Sequence, residues 1–571
     1  MNSEAALGNP ISNPPPAPWW GLSSRGVALL ALIVIATIAV YLPSLRNGWV
    51  SDDLPILVQN NSIRTTSFVA NGFTHDVLWS IKQNTPNLQA HSASYRPFEV
   101  VWFALNAQLF GVDHPVPWHL MKIVLQVVAV LLCFRVAQLL TGDVVVAMLA
   151  AAIFGLMPAH VEPVVWASAI PEPLSTVFQL AALIFLMKRK PGLIGTKSGW
   201  SSGLMLSALF YAFAILTHES AIFFPVIAFA YLMLFEAAPD IDTRPTRQAR
   251  TAITNAHIVS AMTACIPFLI VTLVYAFARM HALGDHAFGM PHAYTQAQMH
   301  GVAEAAPLRG AAQIAMTLPM VLLTYLGILA IPGLANPIHS IEWTTRLDPQ
   351  VFIASAALIV LAVIAIAFAS RSSRRRVYLF CAVWSLVTIA LALKIDSIWW
   401  LNQDRYLYAP SFGWSLALAL AVFEISTVGA RARLAVGIAT ALLLLSYGIA
   451  TIRGQRYWYD DLSYYSRAVQ MKPNDPYYRL AVGNLLQDAN DTSGAARQLE
   501  IAESLEPQDP YIHIRLAQTY MKLGRIKDFE REYNAYEDSG ASVIKSVHVG
   551  PDGKPDEQSA AAPQAPSAVA H

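Results

Sequence analysis

Several short stretches of this sequence bring together residue types able to do chemistry, each at the edge of an apolar run. The first is Asn47-Gly48-Trp49-Val50-Ser51-Asp52-Asp53. Two adjacent carboxylates beside an apolar segment are costly unless solvated, paired or bound to a cation. Asp52 or Asp53 could be a general base at a cavity mouth, taking a proton from an acceptor hydroxyl; the alternative is a solvated loop or a helix N-cap. The second stretch, Pro158-Ala159-His160-Val161-Glu162-Pro163, is a turn able to point His160 and Glu162 into one cavity. Glu172 follows between Pro171 and Pro173, where helix geometry is interrupted. An acid inside an apolar run is functional by default, with a structural ion pair to an arginine as the alternative. Thr217-His218-Glu219-Ser220 is a third turn. His218 could carry charge or donate to a phosphate, or the turn could simply close a polar hairpin around Glu219.

Gln403-Asp404-Arg405-Tyr406-Leu407-Tyr408-Ala409-Pro410-Ser411 opens a late apolar run. An arginine there needs a counter-charge. Its planar fork suits a lipid phosphate, and one of the acids above is the alternative partner. Arg96 and His119 are candidates of the same kind, while Tyr95, Trp102, Trp118, Trp399 and Trp400 read as interface-belt aromatics. The absence of a Walker-type loop and of HExxH argues against a P-loop ATPase and a zincin protease.

The elements that must position these residues are membrane helices. The chain has 571 residues, 55% hydrophobic and 13% charged, against about 25% charged in a soluble domain. Apolar segments near 26–45, 117–140, 144–158, 164–187, 202–217, 220–236, 256–279, 311–334, 351–370, 377–394, 411–428 and 434–452 are long enough to span a bilayer as helices. The first follows a Pro/Ser/Asn-rich disordered tail, residues 1–24, and lacks a small-x-small cleavage site, so it reads as an uncleaved membrane helix. Basic clusters at Lys188-Arg189-Lys190, Arg244/Arg247/Arg250, Arg371 with Arg374-Arg375-Arg376, and Arg431/Arg433 mark cytoplasmic loops. That orientation puts 46–116, 159–163, 217–220 and 395–410 outside. It also requires one segment within 281–350 to be re-entrant or interfacial, leaving eleven crossings with residues after 453 outside. The stretch Ser94 to Gly111, at the end of the outer loop 46–116, reads as a helix on the membrane surface. Cys133, Cys265 and Cys381 read as buried hydrophobes, and the net charge of +1 gives no reason to expect nucleic acid.

After Arg453 the composition changes. Lys472-Pro473-Asn474-Asp475-Pro476-Tyr477 returns 34 residues later as Glu506-Pro507-Gln508-Asp509-Pro510-Tyr511, the tetratricopeptide period. The fold class expected is therefore all-α: a polytopic bundle of eleven to twelve spans over 25–453, short tetratricopeptide-like repeats over 454–538, and an Ala/Pro/Ser-rich disordered tail over 539–571.

Taken in order, the motifs resemble the GT-C glycosyltransferases, especially the transmembrane-and-tetratricopeptide-containing O-mannosyltransferases and their bacterial relatives. The matching stretches are Asp52-Asp53, Tyr95-Arg96-Pro97, Trp118-His119-Leu120, Pro158-Ala159-His160-Val161-Glu162, His218-Glu219, Arg405 through Ser411, and the repeats. His218 stands where that family usually has Lys, and the repeat array is short. The resemblance implies a sugar on a polyprenyl phosphate drawn from the bilayer and a protein or glycan acceptor entering from outside. Transfer would proceed with inversion. Asp52 or Asp53 would act as base, Arg405 with His218 or Arg96 would stabilise the leaving phosphate, and Glu162 and His160 would orient base or acceptor. Some relatives use a divalent metal, which the acids here would permit. The short array and Ala-rich composition lean bacterial, which implies an inner-membrane protein with site and repeats on the periplasmic side. A non-catalytic membrane-anchored scaffold or a lipid transporter are the competing readings. Acids on three separate outer loops exceed what an anchor needs, and a transporter more often puts its polar groups at mid-membrane.

Overall fold

The computed structural model describes residues 21–80, 94–189, 201–236, 247–284, 287, 310–341, 343–344, 346–392 and 403–539. Lys190, Arg244, Trp399, Trp400 and most of both tails lie outside the described residues. Every regular element among the described residues is helical. Among the described residues, seven helices are long and apolar enough to cross a membrane: Ser24–Arg46, Val116–Thr141, Asn255–Leu283, Ala312–Ala330, Pro349–Arg371, Pro410–Thr427 and Ala430–Trp458. An eighth results if Val144–Leu156 and Pro158–Val165, bent by 53°, form one span. Pro171–Met187, Ser202–Thr217 and Glu219–Phe235 are shorter apolar helices. Along Pro349–Arg371, Phe352, Ile353, Ile359, Val363 and Ile366 are exposed. Water would penalise such a surface, and lipid hydrocarbon does not. The chain is a multi-pass membrane protein with a helical bundle.

One expected segment is corrected. Residues 164–187 are not one helix: the helix Val161–Val165 ends at Trp166, and the next begins only at Pro171. The prolines cause this. Pro158, Pro163, Pro171 and Pro173 lack an N–H and disfavour helical geometry in the residue before them. The intervening backbone turns on itself, with Ala169 N–H donating to Trp166 O and Ile170 N–H to Ser168 O. Residues 157–171 are buried throughout, so the broken segment is packed inside the end of the bundle.

The two ends of the bundle differ in charge chemistry. At one, single ion pairs tie basic loops to nearby acids: Arg374 Nη2 to Asp143 at 3.3 Å, and Arg189 Nε to Glu236 Oε1 at 2.8 Å. The opposite end gathers the turns at 47–60, 94–99, 157–172, 217–220 and 403–409. The helix Ala311–Ala330 makes its contacts at this second end: Thr317 Oγ1 accepts from Thr344 N at 3.0 Å, and Leu329 O accepts from the Tyr447 hydroxyl. Tyr325, in the last third of this helix, faces Gln403, Asp404 and Tyr406.

Five short helices follow the bundle: Asp461–Met471, Pro476–Asp488, Thr492–Leu505, Pro510–Lys522 and Ile526–Asp538. The recurrence at 34 residues has a local cause. Asp475 accepts from Tyr477 N at 3.1 Å and Asp509 from Tyr511 N at 2.8 Å, each capping a helix that starts with proline. A Cβ on Gly483 would lie 2.7 Å from Leu499 Cγ, so the glycine lets two of these helices close together.

Gly413 has the same role in the bundle. A Cβ there would sit 2.6 Å from the carbonyl oxygen of Cys381, on the adjacent helix Arg375–Ala392. Backbone cannot move aside as a side-chain tip can. Gly413→Ala should therefore destabilise the detergent-solubilised protein by roughly 1–3 kcal/mol, read as a lower thermal midpoint; an unchanged midpoint would contradict this packing.

Candidate functional site

The five turns surround one cavity, whose lining includes Asp52, Arg96, Glu99, Trp166, Ser168, Glu172, His218, Arg405 and Tyr406. The two adjacent aspartates have different surroundings. Asp53 is buried, and its Oδ1 accepts from Ser168 N at 2.8 Å and from Ser168 Oγ at 2.5 Å. Its Oδ2 accepts from Val50 N at 3.0 Å. With both oxygens engaged, Asp53 clamps the first turn to the broken segment and does not line the cavity. Burial pushes its carboxyl up to about 6, against the opposing pull of those hydrogen bonds. Asp52 lines the cavity instead. Its neighbour Ser51 has φ +53°, a left-handed conformation costing an L-residue roughly 1–2 kcal/mol. Outside contacts must hold that conformation.

Arg405 stands across the cavity on the short helix Asp404–Leu407. Asp404 anchors this helix, accepting from Asn336 N at 2.8 Å and meeting His339 Nε2 at 2.7 Å. Glu162 Oε2 accepts from the backbone N of Arg405 at 3.2 Å. The guanidinium lies 3.5 Å from Glu162 Oε1, 3.4 Å from Glu172 Oε1, and 5.1 Å over the Trp166 ring. These carboxylate contacts are longer than the usual 2.7–2.9 Å of a charge-assisted hydrogen bond, so the fork is charge-balanced without being locked.

Arg96 is held more firmly. Its Nε donates to Glu219 Oε2 at 2.9 Å, its Nη1 lies 3.6 Å from Glu99, and Arg279 reaches the other Glu219 oxygen at 3.5 Å. His218 Nδ1 accepts from Ser220 N at 3.1 Å, which puts its proton on Nε2, 3.8 Å from Glu172. Burial pushes Glu99 up to about 7, with Arg96 opposing.

Of the residues expected at a site, Asp52, Arg96, Glu172, His218, Arg405 and Tyr406 line the cavity, and Glu162 and Glu219 stand behind it as arginine partners. His160 is placed elsewhere. It is buried between helices, 2.8 Å from Ser411 Oγ and 3.3 Å from Gln126, with its ring 4.4 Å from that of Tyr408. Its role there is packing and hydrogen bonding between spans. His119 is buried and does not line the cavity either. Tyr95 and Trp118 are also buried, donating to Phe73 O at 3.0 Å and Gly111 O at 2.9 Å, so neither is an interface-belt aromatic.

Sequence reasoning missed Glu99, Arg279 and Lys122. Lys122 is buried in the span Val116–Thr141 and donates to Ala169 O at 2.6 Å, beneath the cavity. A lysine seven residues into a 26-residue span was itself a legible signal. Glu162, Glu172 and Glu219 face arginines and Asp53 faces Ser168. Among the described residues, the group whose donor atoms converge within 4.8 Å is Glu503, His513 and Glu532, in the C-terminal helices.

No protein-family model matches the chain. It is 23% identical over 525 residues to the human protein O-mannosyl-transferase TMTC3, spanning 88% of this chain and 54% of that protein. The Drosophila melanogaster protein O-mannosyl-transferase Tmtc1 is 32% identical over 202 residues, 35% of this chain and 22% of that one. The chain thus spans about half the length of the human relative, 54%. Among solved structures, the Archaeoglobus fulgidus oligosaccharyltransferase AglB, in complex with an inhibitory peptide and a dolichol-phosphate, is similar at a TM-score of 0.42. It shares 13% identity, with 80% of this chain and 59% of that one covered. In sequence, the chain resembles protein O-mannosyl-transferases over most of its length.

Glu99 yields a pH prediction. Its folded carboxyl takes a proton more readily than an unfolded one, so its contribution to stability is greatest below the ordinary 4.5 and is lost as pH rises to about 7. Glu99→Gln removes that titration. The thermal midpoint of wild type relative to Glu99→Gln should fall between pH 4.5 and pH 7 and level off above; a flat difference would contradict the burial of this acid.

Proposed function

We propose that the chain is a membrane glycosyltransferase that moves a sugar from a polyprenyl-phosphate donor to a protein hydroxyl, with inversion. The observation that carries this reading is that a carboxylate, Asp52, and a loosely paired guanidinium, Arg405, line one cavity. Asp52 takes the proton of the acceptor hydroxyl. The oxygen attacks the anomeric carbon, the bond from that carbon to the phosphate oxygen breaks, and the phosphate leaves with the electron pair on its lipid. Arg405 stabilises the charge developing on that phosphate, with His218 and Arg96 alongside. Glu162 and Glu172 hold Arg405 in place and keep it balanced until the anionic donor arrives.

The donor lipid lies in the bilayer and the acceptor reaches the cavity from the outer face, the periplasm if the chain is that of a bacterium. The C-terminal helices form a short tetratricopeptide-like array on the same side. With Asp53, Glu162, Glu172 and Glu219 engaged by basic or hydroxyl groups, phosphate neutralisation falls to this chain's own cations. A non-catalytic scaffold would have no use for a strained turn beside Asp52 or for a loosely paired arginine across the cavity from it.

The test is transfer of labelled sugar from polyprenyl phosphate in membranes. Asp52→Asn should lower the rate by about 10²–10⁴, the usual contribution of a general base. Arg405→Lys, which keeps the charge but loses the fork, should lower it by a smaller factor. Asp53→Asn should act mainly on stability. Full transfer by Asp52→Asn would remove the base assignment, and no transfer by wild type with any polyprenyl-phosphate sugar would remove the reading as a whole.

A further inference from the structure

The helix Asp461–Met471 makes contacts that a spacer between bundle and repeats does not need. Its N-cap is Asp460, which accepts from Ser463 N at 2.7 Å. Asp461 is therefore not needed as the cap, and its Oδ1 accepts from Ser51 N at 2.6 Å. Ser51 is the residue with the left-handed φ of +53°, directly before Asp52. The contacts on either side reinforce this one: Gly48 N donates to Tyr459 O at 2.8 Å, and Trp458 stacks on Trp166 with centroids 5.2 Å apart. Trp166 is the ring under Arg405, and its own Nε1 donates to Val50 O at 2.9 Å. Further along the helix, Arg467 donates through Nε and Nη2 to Asn336 Oδ1 at 3.0 and 2.6 Å, and Asn336 N donates to Asp404, next to Arg405.

We infer that this helix braces the site, with Asp461 a positioning residue that holds Ser51 in its left-handed conformation and so aims Asp52 into the cavity. Arg467, through Asn336 and Asp404, does the same for the turn carrying Arg405. The chemistry assigned to Asp52 and Arg405 rests on the proposed function; the brace itself is a statement about conformation and is tested without transfer.

The three native cysteines are buried. A cysteine at Ile56, on the cavity wall beyond Asp52, therefore gives a local signal with a membrane-impermeant maleimide. In Ile56→Cys protein, adding Asp461→Ala should speed labelling about fivefold, the factor that one lost hydrogen bond of roughly 1 kcal/mol gives. Asp461→Asn keeps an accepting oxygen and should label like the parent. The deciding variant is Asp461→Ala with Ser51→Gly. Glycine adopts positive φ without strain, so the pair should return to the parent's rate, while Asp461→Ala with Ser51→Ala should not. Unchanged labelling in Asp461→Ala, or fast labelling that Ser51→Gly leaves fast, would overturn the inference. If Asp461→Ala alone does not fold, recovery of folded, slowly labelled protein by Ser51→Gly supports it, and failure to recover overturns it. Where transfer is measurable, Asp461→Ala should lower kcat with the donor KM held, and Ser51→Gly should restore it. Failure of the proposed function would be read separately, in the transfer assay of Asp52→Asn.

Discussion

A guanidinium at the end of an apolar bundle must have counter-charge, and much of the site is arranged around that requirement at Arg405. Removing a charge from water costs several kcal/mol unless partners replace the lost solvation. The partners come from one piece of chain. Glu162 and Glu172 flank the stretch where prolines interrupt the helix, which brings two acids ten residues apart to one side chain. An unbroken helix from 161 to 187 would carry Glu172 roughly 15 Å along its axis from Glu162. The break is what lets both reach the same arginine.

The same break supplies the other half of the site. Ser168, inside it, donates two hydrogen bonds to Asp53, and Trp166 lies between the Arg405 guanidinium and Trp458. The first turn, the broken segment, the Arg405 helix and the first C-terminal helix are thus joined by directional contacts. Apolar packing holds the bundle together but is non-directional. It would not fix which of two adjacent aspartates faces the cavity; the Asp53 clamp and the Ser51 conformation do so.

The arginines around the cavity differ in how firmly they are held. Arg96 donates to Glu219 at 2.9 Å, whereas the shortest carboxylate contact of the Arg405 guanidinium is 3.4 Å. Buried pairs with good geometry are costly to break, and loose ones exchange partners more readily. Arg96 is therefore suited to holding turns together, and Arg405 to meeting a ligand anion.

Much of this architecture was legible in the residues. Hydropathy alone located the apolar helices, because a bilayer imposes a length and composition that few other environments require. The recurrence of Asp-Pro-Tyr marked the C-terminal helices because capping and proline chemistry are local. Asp52, Glu172, His218 and Arg405 stood out because charge beside apolar sequence is costly anywhere. Tertiary structure decided what depends on contacts between distant residues. His160 and Asp53 carry the same chemical types as site residues, and only their neighbours Ser411 and Ser168, 251 and 115 positions away, show them to be engaged elsewhere. The support of Ser51 by Asp461, 410 residues later, could not be read locally either, since no periodicity or composition records which loop meets which helix. Sequence fixes the solvent each segment tolerates and the chemistry each side chain can offer; the meeting of those side chains is set by packing and hydrogen bonds formed across the chain.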